Sequence, residues 1–243
     1  MAPATIREKR GRPDPLRRLV RAIGRRVLGT VTHVATGEAA AALTFDDGPH
    51  PAYTPRLLDI LARHGARATF FVIGERVAAH PELARRAVAE GHALANHTWS
   101  HAQLPDVPGA ERRRELARCA ATIDPLGGER LFRPPRGRQS LASRLDVARS
   151  GHAVVTWSAH AEDWRRHDAA WLAGRLAAQL RPGAIFLLHD AIWDGLEPGV
   201  EDRGPLLEAV DRFLAEAAPH TRFVTVPELL ALGRPVKVNW YRT

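Results

Sequence analysis

Leu43-Thr44-Phe45-Asp46-Asp47-Gly48-Pro49 decides how this chain is read. Ala41 to Phe45 are all apolar or β-branched, the pattern of a buried strand. Two adjacent carboxylates follow, and Gly48-Pro49 stops the strand. Paired acids at the end of a buried strand call for a cation, because like charges side by side push one pKa up. A metal meets that need: one Asp ligates it and the other stays free as a base. A surface turn rich in Asp and Gly would use the same letters, so the rest of the chain has to decide.

Working outward, strands are expected at 40–45, 68–73, 92–96, 131–133, 153–157, 184–189 and 222–226. Between them the apolar spacing turns helical: from Thr54 to Gly65, then over 81–90, 110–123, 140–149, 168–180, 205–217 and 227–232. Strands that alternate with helices and read as near-continuous apolar runs predict a parallel sheet covered on both faces. In a parallel barrel, functional groups gather at the C-terminal ends of the strands. Asp46, Asp47, His97, Arg133, Asp163 and His189 all fall at or just after a predicted strand end.

The charge of the chain is unevenly placed. Residues 1–30 hold nine cations against Glu8 and Asp14, so +7 of the total +8 sits there. The remainder is nearly neutral and gives no support for nucleic-acid binding. A leader, 1–36, is therefore set apart from a single domain, 37–243. Within the leader, Leu16, Leu19, Val20, Ile23 and Val27 share a helical face opposite arginines, which suits contact of residues 16–28 with a membrane surface and equally a helix packed on the barrel or a solvated tail. Arg21, Arg25 and Arg26 interrupt any secretory core, so a cytoplasmic location, at the inner membrane face, is expected. The single Cys119 excludes an intrachain disulfide.

His97 and His101 have the spacing His-x-x-x-His; on one helical turn both would reach one metal, with Asp47 as third ligand. Two nitrogens and an oxygen suit zinc or a related divalent ion. Phe132-Arg133-Pro134-Pro135-Arg136-Gly137 is a stiff loop in which Arg133 is placed to pair with a carboxylate such as Asp46. His189, beside Asp163-Trp164, is a candidate general acid oriented by Asp163, or a satisfied structural histidine.

In order, Thr-Phe-Asp-Asp-Gly-Pro, His-x-x-x-His, Arg-Pro-Pro-x-Gly, Asp-Trp and Leu-x-His resemble the polysaccharide deacetylase family, the NodB-homology domain of carbohydrate esterase family 4. The resemblance covers about residues 40–232. It implies a distorted (β/α)7 TIM-like barrel and metal-dependent removal of acetyl groups from N-acetylated sugars. By that resemblance Asp46 is the base, and Asp47, His97 and His101 hold the metal. Arg133 positions the base, and His189 is the acid tuned by Asp163. Trp164 and Leu187 pack near the acetyl methyl, Pro134 lies in the substrate-binding loop, and the backbone amide of Arg136 helps hold the oxyanion.

The sequence departs from that family in two places. Arg136 stands where an aromatic residue is usual, and the extra cation would favour an anionic substrate. His160 stands where the fourth block usually opens with Asp. An O-deacetylase on the same scaffold and a catalytically silent glycan-binding module are the competing readings; the intact acids and histidines speak against the second.

Overall fold

In the computed structural model, which describes Gly24, residues 28–193 and residues 197–239, strand β2 (Ala40–Asp46) is buried along its whole length. It is the hub of a parallel sheet. On one side β3 (Ala68–Val72) pairs with Leu43–Asp46, and on the other β8 (Ile185–His189) pairs with Ala42–Asp46. Outward from β3 come β4 (Ala93–Asn96), β5 (Leu131–Phe132) and β6 (Ala153–Val154); beyond β8 lies β7 (Ala159–His160). A short β9 (Arg222–Phe223) pairs with Ala40 and Ala41, and Arg67 N donates to Phe223 O beside it.

This path of seven parallel strands, wrapped by helices, is a distorted (β/α)7 barrel in one domain. The helices bounded by described residues are α1 (Thr54–Arg63), α2 (Gly74–Ala79), α3 (Pro81–Ala89), α4 (Gly109–Ile123), α5 (Leu141–Arg149), α6 (Ala169–Gln179), α7 (Gly204–Ala217) and α8 (Val226–Ala231). Their starts follow capping chemistry. Asp168 accepts from Trp171 N at the head of α6, and Thr225 with Glu228 forms a capping box on α8.

The period of two along each strand separates two cores. Ala41, Leu43 and Phe45 of β2 and Phe186 and Leu188 of β8 pack outward against the helices. Ala40, Ala42, Phe71 and Ile185 fill the barrel interior with Val31, Val34 and Leu131. Along the inward row β2 runs Ala40, Ala42, Thr44, Asp46 and β8 runs Ile185, Leu187, His189. The interior is thus apolar at the bottom and polar at the C-terminal rim. The register sets Asp46 directly beside His189.

Several expectations are corrected. The boundary at residue 37 falls too late, because β1 (Thr30–Ala35) belongs to the barrel. Val31 bridges to Val155, and Val34 N donates to Gly183 O at 3.0 Å, so β1 covers the seam between β6 and β8. It pairs antiparallel with β10 (Arg234–Val238), some two hundred residues away, a partnership no local pattern announces. The expected strand 153–157 ends at Val154, and β7 follows as a separate two-residue strand. The expected strand 222–226 ends at Phe223. The leader helix assigned to residues 16–28 lies outside the described residues, except for Gly24 and Leu28. Among the described residues, no helix is long and apolar enough to cross a membrane.

Candidate active site

Strand alternation would send Asp46 and Asp47 to opposite faces of the sheet. They share one site because Asp47 adopts a left-handed φ of 71°, which turns its carboxylate back over the rim. The next residue has no room for a side chain: a Cβ on Gly48 would lie 2.3 Å from the Asp190 carboxylate. Asp190 is fully buried, and Thr54 Oγ1 donates to its Oδ2 at 2.5 Å. Burial pushes the Asp190 carboxyl up to about 6.

Asp46 is tied down from inside the barrel. Arg133, with no solvent exposure, donates from Nη1 to Asp46 Oδ1 and to Thr44 Oγ1, both at 2.7 Å. Its Nη2 donates to Thr156 O at 2.8 Å, and its guanidinium lies 4.0 Å over the Phe71 ring. A buried cation with each edge satisfied is a rigid prop, and Asp46 Oδ2 is left toward the cavity, 3.8 Å from His97 Nε2.

His97 and His101 do meet at Asp47, but the helical reason for it fails. Residues 97–103 form a loop after β4, with left-handed φ at Thr98 (70°) and His101 (58°). His97 Nδ1 donates to Arg133 O at 2.7 Å, which turns Nε2 inward. Nε2 of His97 and of His101 lie 3.4 and 3.3 Å from Asp47 Oδ1. Asp47 Oδ2 accepts from Trp193 N at 3.0 Å, while the buried Oδ1 has no hydrogen-bond donor. Burial alone would raise the Asp47 pKa, but the His97 imidazole beside it and the charges of His189 and His101 hold it well below the usual carboxylate range. One atom from each of the three residues lies within 4.8 Å of the others. An orphaned carboxylate oxygen between two inward imidazole nitrogens fits a divalent cation.

One residue behind this cluster escaped the sequence reading. Glu115 of α4, 6% exposed, accepts from Trp99 N and Ser100 N, each at 2.9 Å, and from Ser100 Oγ at 3.0 Å. It shares the buried face of α4 with Leu116, Cys119 and Ile123, and a charge on that stripe was its signal. Residues that orient ligands in this way typically contribute 10–100-fold to metal affinity. Glu115→Ala should therefore weaken metal binding by about that factor, and Glu115→Gln should recover part of it, as read by metal titration.

On the opposite side, His189 Nδ1 faces Asp163 Oδ1 at 3.1 Å, and His189 N donates to Asp163 Oδ2 at 2.9 Å. Burial lowers the His189 pKa, but the adjacent Asp163, with Asp47 and Asp46 behind it, pushes it up to about 9. Asp163 is held low: burial opposes its charge, and His189 and Arg203 outweigh burial.

A cavity of about 300 Å³ opens above these groups. Trp164, Leu187, Trp157, Gly137, Ile192 and Arg136 line it together with the acids and histidines. Trp164 stands edge-on to His189 with ring centres 6.0 Å apart. Trp157 and Ile192 were not singled out from the sequence. Pro134 does not line the cavity; it is buried, and its carbonyl accepts from Gly137 N to hold the loop. His160 packs against Trp164 at 5.2 Å, and Gln179 grips its backbone through His160 N and O. It supports the cavity wall from behind.

Comparison with known proteins agrees with this geometry. Residues 33–155 match the polysaccharide deacetylase family. A chitooligosaccharide deacetylase of Bradyrhizobium sp. (strain ANU 289) is 43% identical over 169 residues, 68% of this chain and 75% of that one. A peptidoglycan-N-acetylglucosamine deacetylase of Bacillus cereus is 35% identical over 207 residues, 83% of this chain and 93% of that one. A solved peptidoglycan N-acetylglucosamine deacetylase superposes with a TM-score of 0.75 at 28% identity, covering 87% of this chain and 95% of that one. With its barrel and its ordered motifs at one rim, the chain belongs to the polysaccharide deacetylase family.

Proposed function

We propose that this protein is a metal-dependent hydrolase that removes acetyl groups from N-acetylated sugars in a poly- or oligosaccharide. The observation that carries the reading is the meeting of two proton-transfer groups in one cavity. Asp46, fixed by Arg133, stands next to His189, fixed by Asp163, with the Asp47–His97–His101 cluster beside them. Asp47, His97 and His101 would hold a divalent ion, zinc by its ligand types. When bound, that ion supplies Lewis acidity to the acetyl carbonyl and lowers the pKa of water.

The chain's own groups do the rest. Asp46 Oδ2 takes a proton from the attacking water. The Arg136 backbone N–H holds the developing oxyanion. The C–N bond then breaks, His189 Nε2 gives its proton to the departing amine nitrogen, and acetate is the other product. A histidine pushed up to about 9 holds its proton at neutral pH, as an acid must. Trp164 and Leu187 give the acetyl methyl an apolar wall. The names of the similar proteins, chitooligosaccharide and peptidoglycan-N-acetylglucosamine deacetylases, support an N-acetylglucosamine substrate.

The test is incubation of zinc-loaded protein with N-acetylglucosamine oligomers. Equal amounts of acetate and new free amine are the expected result. Acetate from O-acetylated sugars alone, with no amine formed, would overturn it.

A further inference from the structure

One buried cation beside the acid has no part in the steps above. Arg203, 2% exposed, stands at the head of α7. Its Nη2 donates to Asp163 Oδ2 at 2.5 Å, and its Nη1 donates to Asp163 O and Val200 O, both at 2.9 Å. Its Nε donates to His189 O at 3.0 Å. A single guanidinium therefore grips the carboxylate that orients the His189 ring and the main chain of His189 itself.

The arrangement copies the other half of the site. There a buried Arg133 fixes Asp46 while its other donors reach the backbone carbonyls of Val155 and Thr156, just after β6, and the Thr44 hydroxyl. Here a buried Arg203 fixes Asp163 while spending its remaining donors on the carbonyls of His189 and Val200. Asp163, 1% exposed, has four donors, two from His189 and two from Arg203 if its main-chain carbonyl is included. Without Arg203, the carboxylate keeps only the donors of His189 itself, its N and its Nδ1, and no group outside that residue holds it. The imidazole would then be free to turn with it. An arginine is suited to this task because its rigid fork reaches several acceptors at once, which a lysine ammonium cannot reproduce.

We propose that Arg203 is a positioning residue for the acid: it locks Asp163 and the His189 main chain so that Nδ1 keeps its hydrogen on Asp163 and Nε2 faces the cavity. This rests on the proposed role of His189. Arg203 does not line the cavity, and its hydrogen bonds go to Asp163, His189 and Val200, so its effect should pass through Asp163 and appear in kcat.

The test uses the full chain loaded with zinc, N-acetylglucosamine oligomers as substrate, and Arg203→Met. Loss on the order of 10²-fold in kcat is expected, the cost of a small misplacement of a catalytic group, with KM and metal content nearly unchanged. In an Asp163→Asn background the same substitution should change kcat by less than about twofold, because the partner it acts through is already gone. Equal losses in both backgrounds would mean that Arg203 serves the fold alone and would overturn the proposal. If Arg203→Met does not fold, Arg203→Lys carries the test, with an intermediate loss of kcat expected and a wild-type kcat overturning the idea. A readout independent of activity is the side-chain ¹⁵N–¹H spectrum of His189. The Nδ1–H signal should be present in wild type and exchange-broadened in Arg203→Met; its survival unchanged would overturn the role. Wild-type protein that releases no acetate would defeat the deacetylase reading and leave this spectral test standing.

Discussion

His97→Ala should lose both the bound metal and turnover, whereas Asp46→Asn should keep the metal and still stop the reaction. The two acids of β2 are neighbours in sequence but differ in surroundings. Asp47 Oδ1 lies between two imidazole nitrogens and has no hydrogen-bond donor, the position of a ligand atom. Asp46 spends Oδ1 on Arg133 and turns Oδ2 to the cavity, the position of a base. Removal of one imidazole leaves two protein ligands, fewer than the three that hold a catalytic ion. Asp46→Asn preserves an oxygen for Arg133 but cannot accept a proton from water. A positioned base contributes about 10²–10⁴-fold, and that is the expected fall in kcat. Metal analysis and acetate release on the same preparations separate the two effects. Full metal occupancy in His97→Ala, or near-normal turnover in Asp46→Asn, would contradict the assignment.

The rim was legible in the sequence because a parallel strand buried on both faces leaves a long apolar run, and the residue that ends it is easy to see. Asp46 after Phe45 and His189 after Leu188 were placed in this way, and the register sets them side by side. The spacing of His97 and His101 pointed to two residues that do meet at Asp47, but not for the helical reason. A helix was expected, but a loop with two left-handed residues does the work, and only the folded chain reveals that geometry. Groups that act one layer back were harder to find. Glu115 lies in a run of charges, Glu111 to Glu115, and only its place on the apolar stripe of α4 marks it as buried. Arg203 has no such mark: it follows Glu201 and Asp202, both exposed, and reads as one more surface charge. The pairing of β1 with β10 joins the two ends of the described chain, so neither strand shows its partner locally.

Asp163→Asn should move the alkaline limb of the pH–rate profile downward by more than two pH units. The groups facing His189 are Asp163 from the loop after β7, Asp46 and Asp47 from the end of β2, and Arg203, which holds Asp163. Burial is the largest influence on the imidazole and favours its neutral form; the carboxylates outweigh burial and bring the value up to about 9. As the proposed acid, His189 works only while protonated, so activity should be lost as pH rises through that value. A divalent ion on Asp47 offsets one of the three acids, and the limb of the loaded enzyme should therefore lie somewhat below 9. With Asp163 neutralised, burial prevails, and the limb should fall to the ordinary histidine value of about 6.5 or lower. The same sign governs stability. Because the folded value is raised, the His189–Asp163 pair contributes fully below the unfolded pKa, and that contribution fades as pH climbs toward 9. Replacement of the acid itself, His189→Gln, should lower kcat by about 10²–10⁴-fold and remove the alkaline limb altogether. A limb that stays in place in either variant would show that another group delivers the proton to the departing amine.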